Sequence, residues 1–330
     1  MKWIKPLIIT AILSFSLNSP AHSQFLPEDA EFFWMYTDDN VPHYVLEIGK
    51  NPNPKNTYIV LHGGYGGDHS YLINLVLPHT ETHRFILYDQ RGSLRTEAPD
   101  STITYANFVE DLDALRRELG LESVQLLAHS NGAMIALDYL GTYPERVSHM
   151  VLMGPPLSFV HGDIFHSDEL EEAISYYRTA SEELSREISE NIELKLKKLG
   201  LYDTEGLSGR ELTQRSKIEF AGWNVVDISL WPEMQNAFFI RKVFELLNES
   251  TDHDIWNERS LRQSKALAET DIPITVIIGE SDFIDPDGKV WQVLLKHAEN
   301  GELITLQNSG HMPWIDLPDK MQELLNRTLQ

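Results

Sequence analysis

One serine of this 330-residue chain lies where an apolar run and a helix-like run meet. Residues 126–137 read LLAHSNGAMIAL, so a predicted strand stops at the segment His129-Ser130-Asn131-Gly132 and a helical pattern resumes at once. Such a sharp turn needs small residues two positions before and two positions after Ser130, and Ala128 and Gly132 satisfy that requirement. The turn would hold the hydroxyl of Ser130 at a helix N-terminus, where backbone N–H groups and the helix dipole favour developing negative charge. A serine that merely caps a helix is the alternative interpretation.

Two later segments supply the partners that a nucleophilic serine needs. A serine hydroxyl is weak without a general base, and the base needs a carboxylate that holds its tautomer. Residues 277–286, IIGESDFIDP, place Asp282 just after a buried run, and residues 308–318, NSGHMPWIDLP, place His311 after the next one. Asp285 follows the same run as Asp282 and is its rival. These residues predict catalysis by Ser130 with a histidine base and an acid.

The elements that must position these residues alternate along the chain. β-rich runs cover 57–61, 84–88, 123–128, 146–153, 272–278 and 302–306, and helical patterns cover about 106–119, 131–140, 288–298 and 318–329. Strands that alternate with helices predict an α/β fold with a mostly parallel sheet and helices on both faces. Ligands of such sheets bind outside the carboxyl ends of the strands. The loops that carry Ser130, Asp282 and His311 all lie at that edge.

Residues 157–268 interrupt this alternation with charge-rich, helix-forming sequence. We therefore predict a sheet-based core made of residues 24–156 and 269–330, with a helical insertion over 157–268. Trp223, Trp231 and Trp256 could line an apolar pocket there, and packing of the insertion against the core explains them equally well.

The first 23 residues predict export. Lys2 and Lys5 precede an apolar stretch over 6–17, and a small-residue pattern follows that ends at Ser23. This is the layout of a secretory signal peptide with cleavage after Ser23, and the apolar stretch is shorter than the roughly 20 residues that span a bilayer. We therefore expect a periplasmic or secreted protein.

Charge and composition exclude several classes of partner and site. The formal charge is −23, and removal of residues 1–23 would take it to −25 because only Lys2 and Lys5 are charged there. So acidic a surface repels nucleic acid and anionic lipid. The chain has no cysteine, which excludes disulfides and thiolate metal sites. His69, His79 and His83 show no metal-ligand spacing, so we expect neither a metal nor a cofactor, and a small molecule or short peptide as substrate. The oligomeric state stays open.

The motifs described above resemble the α/β-hydrolase superfamily. Residues 128–132, AHSNG, are similar to its G-x-S-x-G nucleophile elbow, and the chain order Ser130, Asp282, His311 is the order of its triads. The resemblance favours Asp282 over Asp285 as the acid and makes the 157–268 insertion a cap over the substrate pocket. Residues 61–67, LHGGYGG, resemble its oxyanion loop. The family pattern then assigns the oxyanion hole to the N–H groups of Gly64 and Asn131, with Tyr65 as the next candidate. His62 is expected to support this loop structurally and not to act as the base.

Within that superfamily, LHGG together with residues 89–93, DQRGS, most resembles the proline iminopeptidase group of serine aminopeptidases. Tyr65 and Leu94 replace a proline and a glycine of the group's motifs, and its elbow tends to read Gly-Gly-Ser-Trp-Gly. Arg91 of DQRGS is expected to anchor a loop by ion pairing. Ser130 disfavours the related enzymes that use an aspartate nucleophile.

Together with the export predicted from residues 1–23, the resemblance implies an exported aminopeptidase that works through an acyl-enzyme and releases small N-terminal residues such as proline. Such an enzyme must hold a free α-ammonium, so one or two cap carboxylates should face Ser130. A carboxylesterase, a lactonase or a carbon–carbon bond hydrolase would instead have an apolar cap pocket. A protein that keeps the fold and binds a ligand without catalysis is a third, less favoured interpretation.

Overall fold

The computed structural model describes residues 26–28, 30–49, 51, 53–234, 240–249 and 253–329. The predicted signal peptide of residues 1–23 lies outside these ranges. Across the described part of the chain, no helix is long and apolar enough to cross a membrane.

The described residues form one eight-stranded sheet with the strand order β1-β2-β4-β3-β5-β6-β7-β8. The strands are β1 (Glu31–Tyr36), β2 (Pro42–Ile48), β3 (Thr57–Leu61), β4 (Arg84–Tyr88), β5 (Val124–His129), β6 (Val147–Met153), β7 (Ile274–Gly279) and β8 (Gly301–Leu306). Strands β3 to β8 run parallel to one another, whereas β2 pairs antiparallel with both β1 and β4. This confirms the predicted α/β class and the mostly parallel sheet.

Strands β1 and β2 have no counterpart in the sequence prediction. On β1 the side chains of Phe32, Trp34 and Tyr36 are half or more exposed, while Met35 on the opposite face is buried. Because both faces of this edge strand carry apolar residues, its sequence lacks the polar–apolar alternation that marks a half-buried strand.

The central strands are buried on both faces. In β3, Ile59 and Leu61 pack into one hydrophobic cluster, whereas Tyr58 and Val60 pack into the other. Successive side chains of a strand point to opposite faces, so each cluster receives alternate residues. Helices cover both clusters, which explains why these strands read as uninterrupted apolar runs.

Ten α-helices occur among the described residues. They are α1 (Ile73–Val76), α2 (Tyr105–Glu118), α3 (Asn131–Thr142), α4 (Asp168–Leu199), α5 (Gly209–Asn224), α6 (Arg241–Glu249), α7 (His253–Glu269), α8 (Lys289–Leu294), α9 (Pro313–Asp316) and α10 (Pro318–Thr328). Helices α2, α3 and α8 bury their apolar residues in one cluster, and α1 and α10 in the other. The predicted helix over 288–298 is shorter than expected, because α8 ends at Leu294.

The segment between β6 and β7 is helical, with α4 to α7 and no strand among its described residues. Helix α7 packs on α3 of the core, where Arg259 forms a buried ion pair with Asp138 and the Gln263 side chain donates a hydrogen bond to the Met134 carbonyl. Helix α5, by contrast, reaches the cavity above Ser130. The inserted segment therefore packs against the core through α7, among other helices, and extends over the carboxyl edge of the sheet through α5.

Candidate active site

Ser130 occupies a strained turn between β5 and α3. Its backbone has φ 52° and ψ −124°, a conformation that residues other than glycine rarely adopt. The turn brings α3 against β3 so closely that a Cβ on Gly132 would lie 2.4 Å from the Leu61 carbonyl oxygen. Ala128 is fully buried beneath the turn. The two small residues of the motif are therefore required by packing, and Ser130 lines a cavity at the carboxyl edge of the sheet.

Asp282 and His311 lie together at the ends of β7 and β8. Both carboxylate oxygens of Asp282 are 2.9 Å from Nδ1 of His311, and both side chains are buried. Gly154, which follows β6, fits against this pair, since a Cβ there would lie 2.6 Å from His311 Nδ1 and 2.8 Å from Asp282 Oδ2. The sheet thus brings an acid and a histidine from two successive strands to one point.

The rival acid, Asp285, has a different set of contacts. Its carboxylate accepts hydrogen bonds from the backbone N–H groups of Val290 and Trp291 at the start of α8. Burial raises the pKa of Asp285 to about 7, and these backbone hydrogen bonds only partly oppose the shift. Asp285 therefore fastens α8, and Asp282 is the acid that contacts His311.

Ser130 and His311 line the same cavity. Among the described residues, no hydrogen bond joins the Ser130 hydroxyl to His311. Hydrogen bonds between catalytic groups are often long in the absence of substrate and tighten in the substrate complex. The structure thus assembles the three predicted residues at one edge, with the acid–base half of the arrangement in close contact.

His62 fixes the loop that follows β3. Its Nε2 accepts the backbone N–H of Gln90, so Nδ1 must carry the proton, and Nδ1 lies 2.9 Å from the Gly63 carbonyl oxygen. Burial keeps the pKa of His62 below its ordinary value, which favours this neutral form. Because the C=O and N–H of a trans peptide point in opposite directions, the Gly64 N–H points away from His62.

The second predicted oxyanion donor is the backbone N–H of Asn131. It is in the first turn of α3, where backbone N–H groups have no carbonyl partner one turn earlier. The Asn131 side chain helps to hold the oxyanion loop. Its Nδ2 donates a hydrogen bond to the Gly64 carbonyl at 3.4 Å, and its Oδ1 accepts one from the Tyr105 hydroxyl at 3.0 Å. This orients the next peptide so that the Tyr65 N–H points away from Asn131. The geometry thus favours Gly64 over Tyr65.

Tyr105 has no counterpart among the residues that the sequence singled out. It lies on α2, 26 positions before Asn131, and nothing in its local sequence distinguishes it from an ordinary buried tyrosine of an amphipathic helix. The guanidinium of Arg259 lies 3.5 Å from the centre of its ring. A residue of the inserted segment therefore helps to position a side chain beside the predicted oxyanion hole.

Residues of the DQRGS segment support the loops around the site. Arg91 is buried and forms ion pairs with Asp39 and Asp111, which confirms that it anchors a loop. Its hydrogen bonds hold the pKa of Asp39 well below the usual range. The Gln90 side chain donates to the His62 carbonyl at 2.7 Å. The DQRGS segment therefore supports the oxyanion loop through the Gln90–His62 contacts, and none of its residues lines the cavity.

The cavity above Ser130 has a volume of about 530 Å³ and walls that are mainly apolar. Helix α5 contributes Phe220, Trp223 and Asn224, and Phe283 closes another side. Trp223 and Phe283 meet edge to face with ring centres 5.6 Å apart. Among the described residues of the wall, Asp68 is the single carboxylate, and it belongs to the core.

The three tryptophans that the sequence left undecided have different positions. Trp223 lines the cavity, whereas Trp231 packs beside two hydrophobic clusters and Trp256 packs on Tyr105. Only the first of them can therefore contact a substrate above Ser130.

The histidines and acids of the described residues form no metal site. They contain no cluster of three or more acidic or histidine side chains that could hold an ion.

Comparisons with known proteins agree with the fold described above. A family model described as the alpha/beta hydrolase fold matches residues 57–183. The chain is 26% identical over 282 residues to a proline iminopeptidase of Lactobacillus delbrueckii subsp. lactis. The match covers 81% of this chain and 88% of that protein.

Two solved structures show the likeness in three dimensions. A proline iminopeptidase-related protein from Thermus thermophilus superposes with a TM-score of 0.61 at 22% identity, covering 91% of this chain and 98% of that one. An esterase from Exiguobacterium antarcticum has a TM-score of 0.59 at 18% identity and covers 91% and 99%.

Proposed function

We propose that this chain, a serine hydrolase with the α/β-hydrolase fold, acts through an acyl-enzyme formed on Ser130. The observation that carries the proposal is the buried contact between Asp282 and Nδ1 of His311 at the edge of a cavity that Ser130 also lines. Because Nδ1 donates its proton to the carboxylate, Nε2 of His311 is free to act as a base. The interpretation as a non-catalytic binding protein is set aside, since the relatives and structural neighbours are hydrolases.

In the first step, the Ser130 hydroxyl attacks the substrate carbonyl carbon and its proton passes to Nε2 of His311. The tetrahedral oxyanion accepts hydrogen bonds from the N–H groups of Asn131 and Gly64. His311 then gives the proton to the leaving group as the bond to it breaks, and the acyl group stays on Ser130. Water repeats the sequence with the same base, which releases the acid product and restores Ser130.

The shape and polarity of the cavity support an uncharged, apolar acyl group. Phe220 and Trp223 of α5 and Phe283 offer apolar surface on the side of the inserted segment. An aminopeptidase would need carboxylates there, and no aspartate or glutamate of helices α4 to α7 whose side chain the structure describes lines the cavity. The geometry therefore favours the ester or lactone hydrolase over the aminopeptidase that the sequence motifs imply.

An aminopeptidase that releases small N-terminal residues such as proline is the second candidate. The name of the Lactobacillus relative and its coverage of 81% of this chain support it. Among the described carboxylates, only Asp68 lines the cavity and could bind an α-ammonium, and its Oδ1 already accepts hydrogen bonds from Ser70 N–H and from Arg95. Since that carboxylate is already paired with a guanidinium, it is a weaker ammonium anchor than an unpaired carboxylate would be.

Turnover of three probes by the purified protein separates the two candidates. They are proline 4-nitroanilide, its N-acetylated form and a series of 4-nitrophenyl esters with acyl groups from acetyl to phenylacetyl. We expect the esters to have the highest kcat/KM, rising with apolar acyl size. A strong preference for free proline anilide, abolished by N-acetylation, would instead establish the aminopeptidase. Ser130→Ala serves as the control, and it should be inactive on every probe.

A further inference from the structure

We propose that Tyr71 and His129 form a positioning pair that holds the oxyanion loop and the His311 loop in register. The inference rests on the proposed roles of Ser130 and His311 and assigns two further residues to the same reaction. The Tyr71 hydroxyl contacts the backbone N–H of Gly63 at 2.5 Å and Nδ1 of His129 at 2.8 Å. The other ring nitrogen of His129, Nε2, lies 3.1 Å from the His311 carbonyl oxygen.

The chemistry of the partners determines which atom carries each proton. The His311 carbonyl can only accept, so Nε2 of His129 donates to it. Burial and the neighbouring His311 hold the pKa of His129 well below its ordinary value, so the ring is neutral and its Nδ1 is an acceptor. The Tyr71 hydroxyl must then donate to Nδ1. The same oxygen accepts the Gly63 N–H, and burial raises the pKa of Tyr71, which keeps the hydroxyl protonated.

These hydrogen bonds, each with an assigned donor and acceptor, join three separate segments of the chain. Gly63 belongs to the oxyanion loop, His129 directly precedes Ser130, and His311 is the proposed base. The His129 ring also packs against the rings of His311 and Trp314, with centres 4.6 and 4.9 Å apart. Because the Gly63 N–H is used by Tyr71, it is not an oxyanion donor, and its role is to fix the loop that presents Gly64.

Removal of the Tyr71 hydroxyl should therefore loosen both loops without touching the reacting atoms. Displacement of catalytic groups by about 1 Å commonly costs on the order of 100-fold in rate. We expect Tyr71→Phe to lower the maximal rate at which a fluorophosphonate labels Ser130 roughly 10- to 100-fold, while the half-saturating concentration of the fluorophosphonate changes little.

A second tyrosine–histidine pair, which is fully buried in the sheet, offers a control for the Tyr71–His129 pair, whose two residues line the cavity. The Tyr58 hydroxyl lies 2.7 Å from Nδ1 of His149, and neither residue lines the cavity. Tyr58→Phe removes the same atoms from a similar pair in the sheet. Tyr58→Phe should lower the melting temperature about as much as Tyr71→Phe does. Its maximal rate of Ser130 labelling should stay within about twofold of the wild-type rate.

A variant series at His129 tests the pair from the other side. Glutamine reproduces a donor for the His311 carbonyl and an acceptor for Tyr71, whereas phenylalanine keeps a ring and removes both. His129→Gln should therefore retain much more activity than His129→Phe.

The experiment measures the maximal rate and the half-saturating concentration for labelling of Ser130 by a fluorophosphonate, together with the melting temperature of each variant. A slowed maximal rate in Tyr71→Phe and His129→Phe, beside normal rates in Tyr58→Phe and recovery in His129→Gln, supports the pair. Equal rates in Tyr71→Phe and Tyr58→Phe, or equal rates in the two His129 variants, would overturn it. Labelling that survives Ser130→Ala would instead overturn the proposed function, so the two failures are distinct.

Discussion

Asp282 and His311 are separated by 29 positions in the chain, yet both carboxylate oxygens of Asp282 lie 2.9 Å from Nδ1 of His311. The symmetric contact fixes the tautomer of His311, because only a protonated Nδ1 can donate to a carboxylate. Nε2 of His311 is then unprotonated and is the nitrogen that can accept the proton of the Ser130 hydroxyl.

Asp282→Asn should therefore lower kcat by about 10⁴, since an asparagine at this position favours the wrong tautomer of His311. Asp285→Asn is the matched control, because Asp285 follows the same strand and contacts the backbone of Val290 and Trp291. We expect it to keep most of the activity. Steady-state kinetics on 4-nitrophenyl esters checks both variants, and the reverse ranking would assign the acid to Asp285.

Asp285 should make the stability of the fold depend on pH. Its pKa is raised from 3.8 to about 7 in the folded state, so between these values the folded protein holds a proton that the unfolded chain has lost. The contribution of Asp285 to the free energy of unfolding is then largest below about pH 4 and falls as the pH rises to about 7. Urea unfolding of the wild type and Asp285→Asn across this range should show a stability difference that declines. A constant difference would contradict the raised pKa.

Gly132→Ala should destabilise the protein by about 1–3 kcal/mol or prevent folding, because the added Cβ would meet the carbonyl oxygens of Leu61 and His62 at 2.4 and 2.7 Å. Gly209 also lies in the first turn of a helix, and a Cβ there meets nothing within 4 Å. Gly209→Ala should therefore be neutral or slightly stabilising. Equal melting temperatures for the two variants would mean that the turn at Ser130 is looser than described.

Trp223→Ala should lower kcat/KM for a phenylacetyl ester much more than for an acetyl ester, because Trp223 and Phe283 form the apolar wall of the cavity. The loss of one large apolar contact corresponds to roughly 10- to 100-fold. The acetyl ester is an internal control, since it is too small to need that wall. An equal loss on both esters would place the acyl group elsewhere.

The N-terminal segment gives a prediction that does not depend on the site. If residues 1–23 are a signal peptide, the mature protein begins at Gln24. N-terminal sequencing of the protein from its native host checks this, and a cytoplasmic protein that retains Met1 would contradict export.

The sequence predicted those features that depend on local pattern. Strands β3 to β7 can be predicted because strands buried on both faces read as continuous apolar runs, and the turn at Ser130 can be predicted because it requires small residues two positions away on either side. Strand β1 was missed because exposed aromatic residues such as Trp34 hide the alternation of an edge strand, and β2, its antiparallel partner, was missed with it.

Contacts over long distances in the chain could not be predicted. Tyr71 meets His129 across 58 positions, and Tyr105 meets Asn131 across 26, with no local signal at either tyrosine. The acidic residues of the inserted segment illustrate the same limit. The resemblance to aminopeptidases predicts cap carboxylates that face Ser130, but only the three-dimensional orientation of each acid decides this, and the acids of α4 to α7 whose side chains the structure describes do not line the cavity.

The nucleophilic role of Ser130 is the central claim, and the mass of the intact protein after fluorophosphonate treatment tests it most directly. We predict a single adduct on the wild type that maps to Ser130, no adduct on Ser130→Ala, and a loss of turnover in that variant on the order of 10⁶. An adduct that persists on Ser130→Ala, or turnover that survives the substitution, would show that the protein uses a different nucleophile.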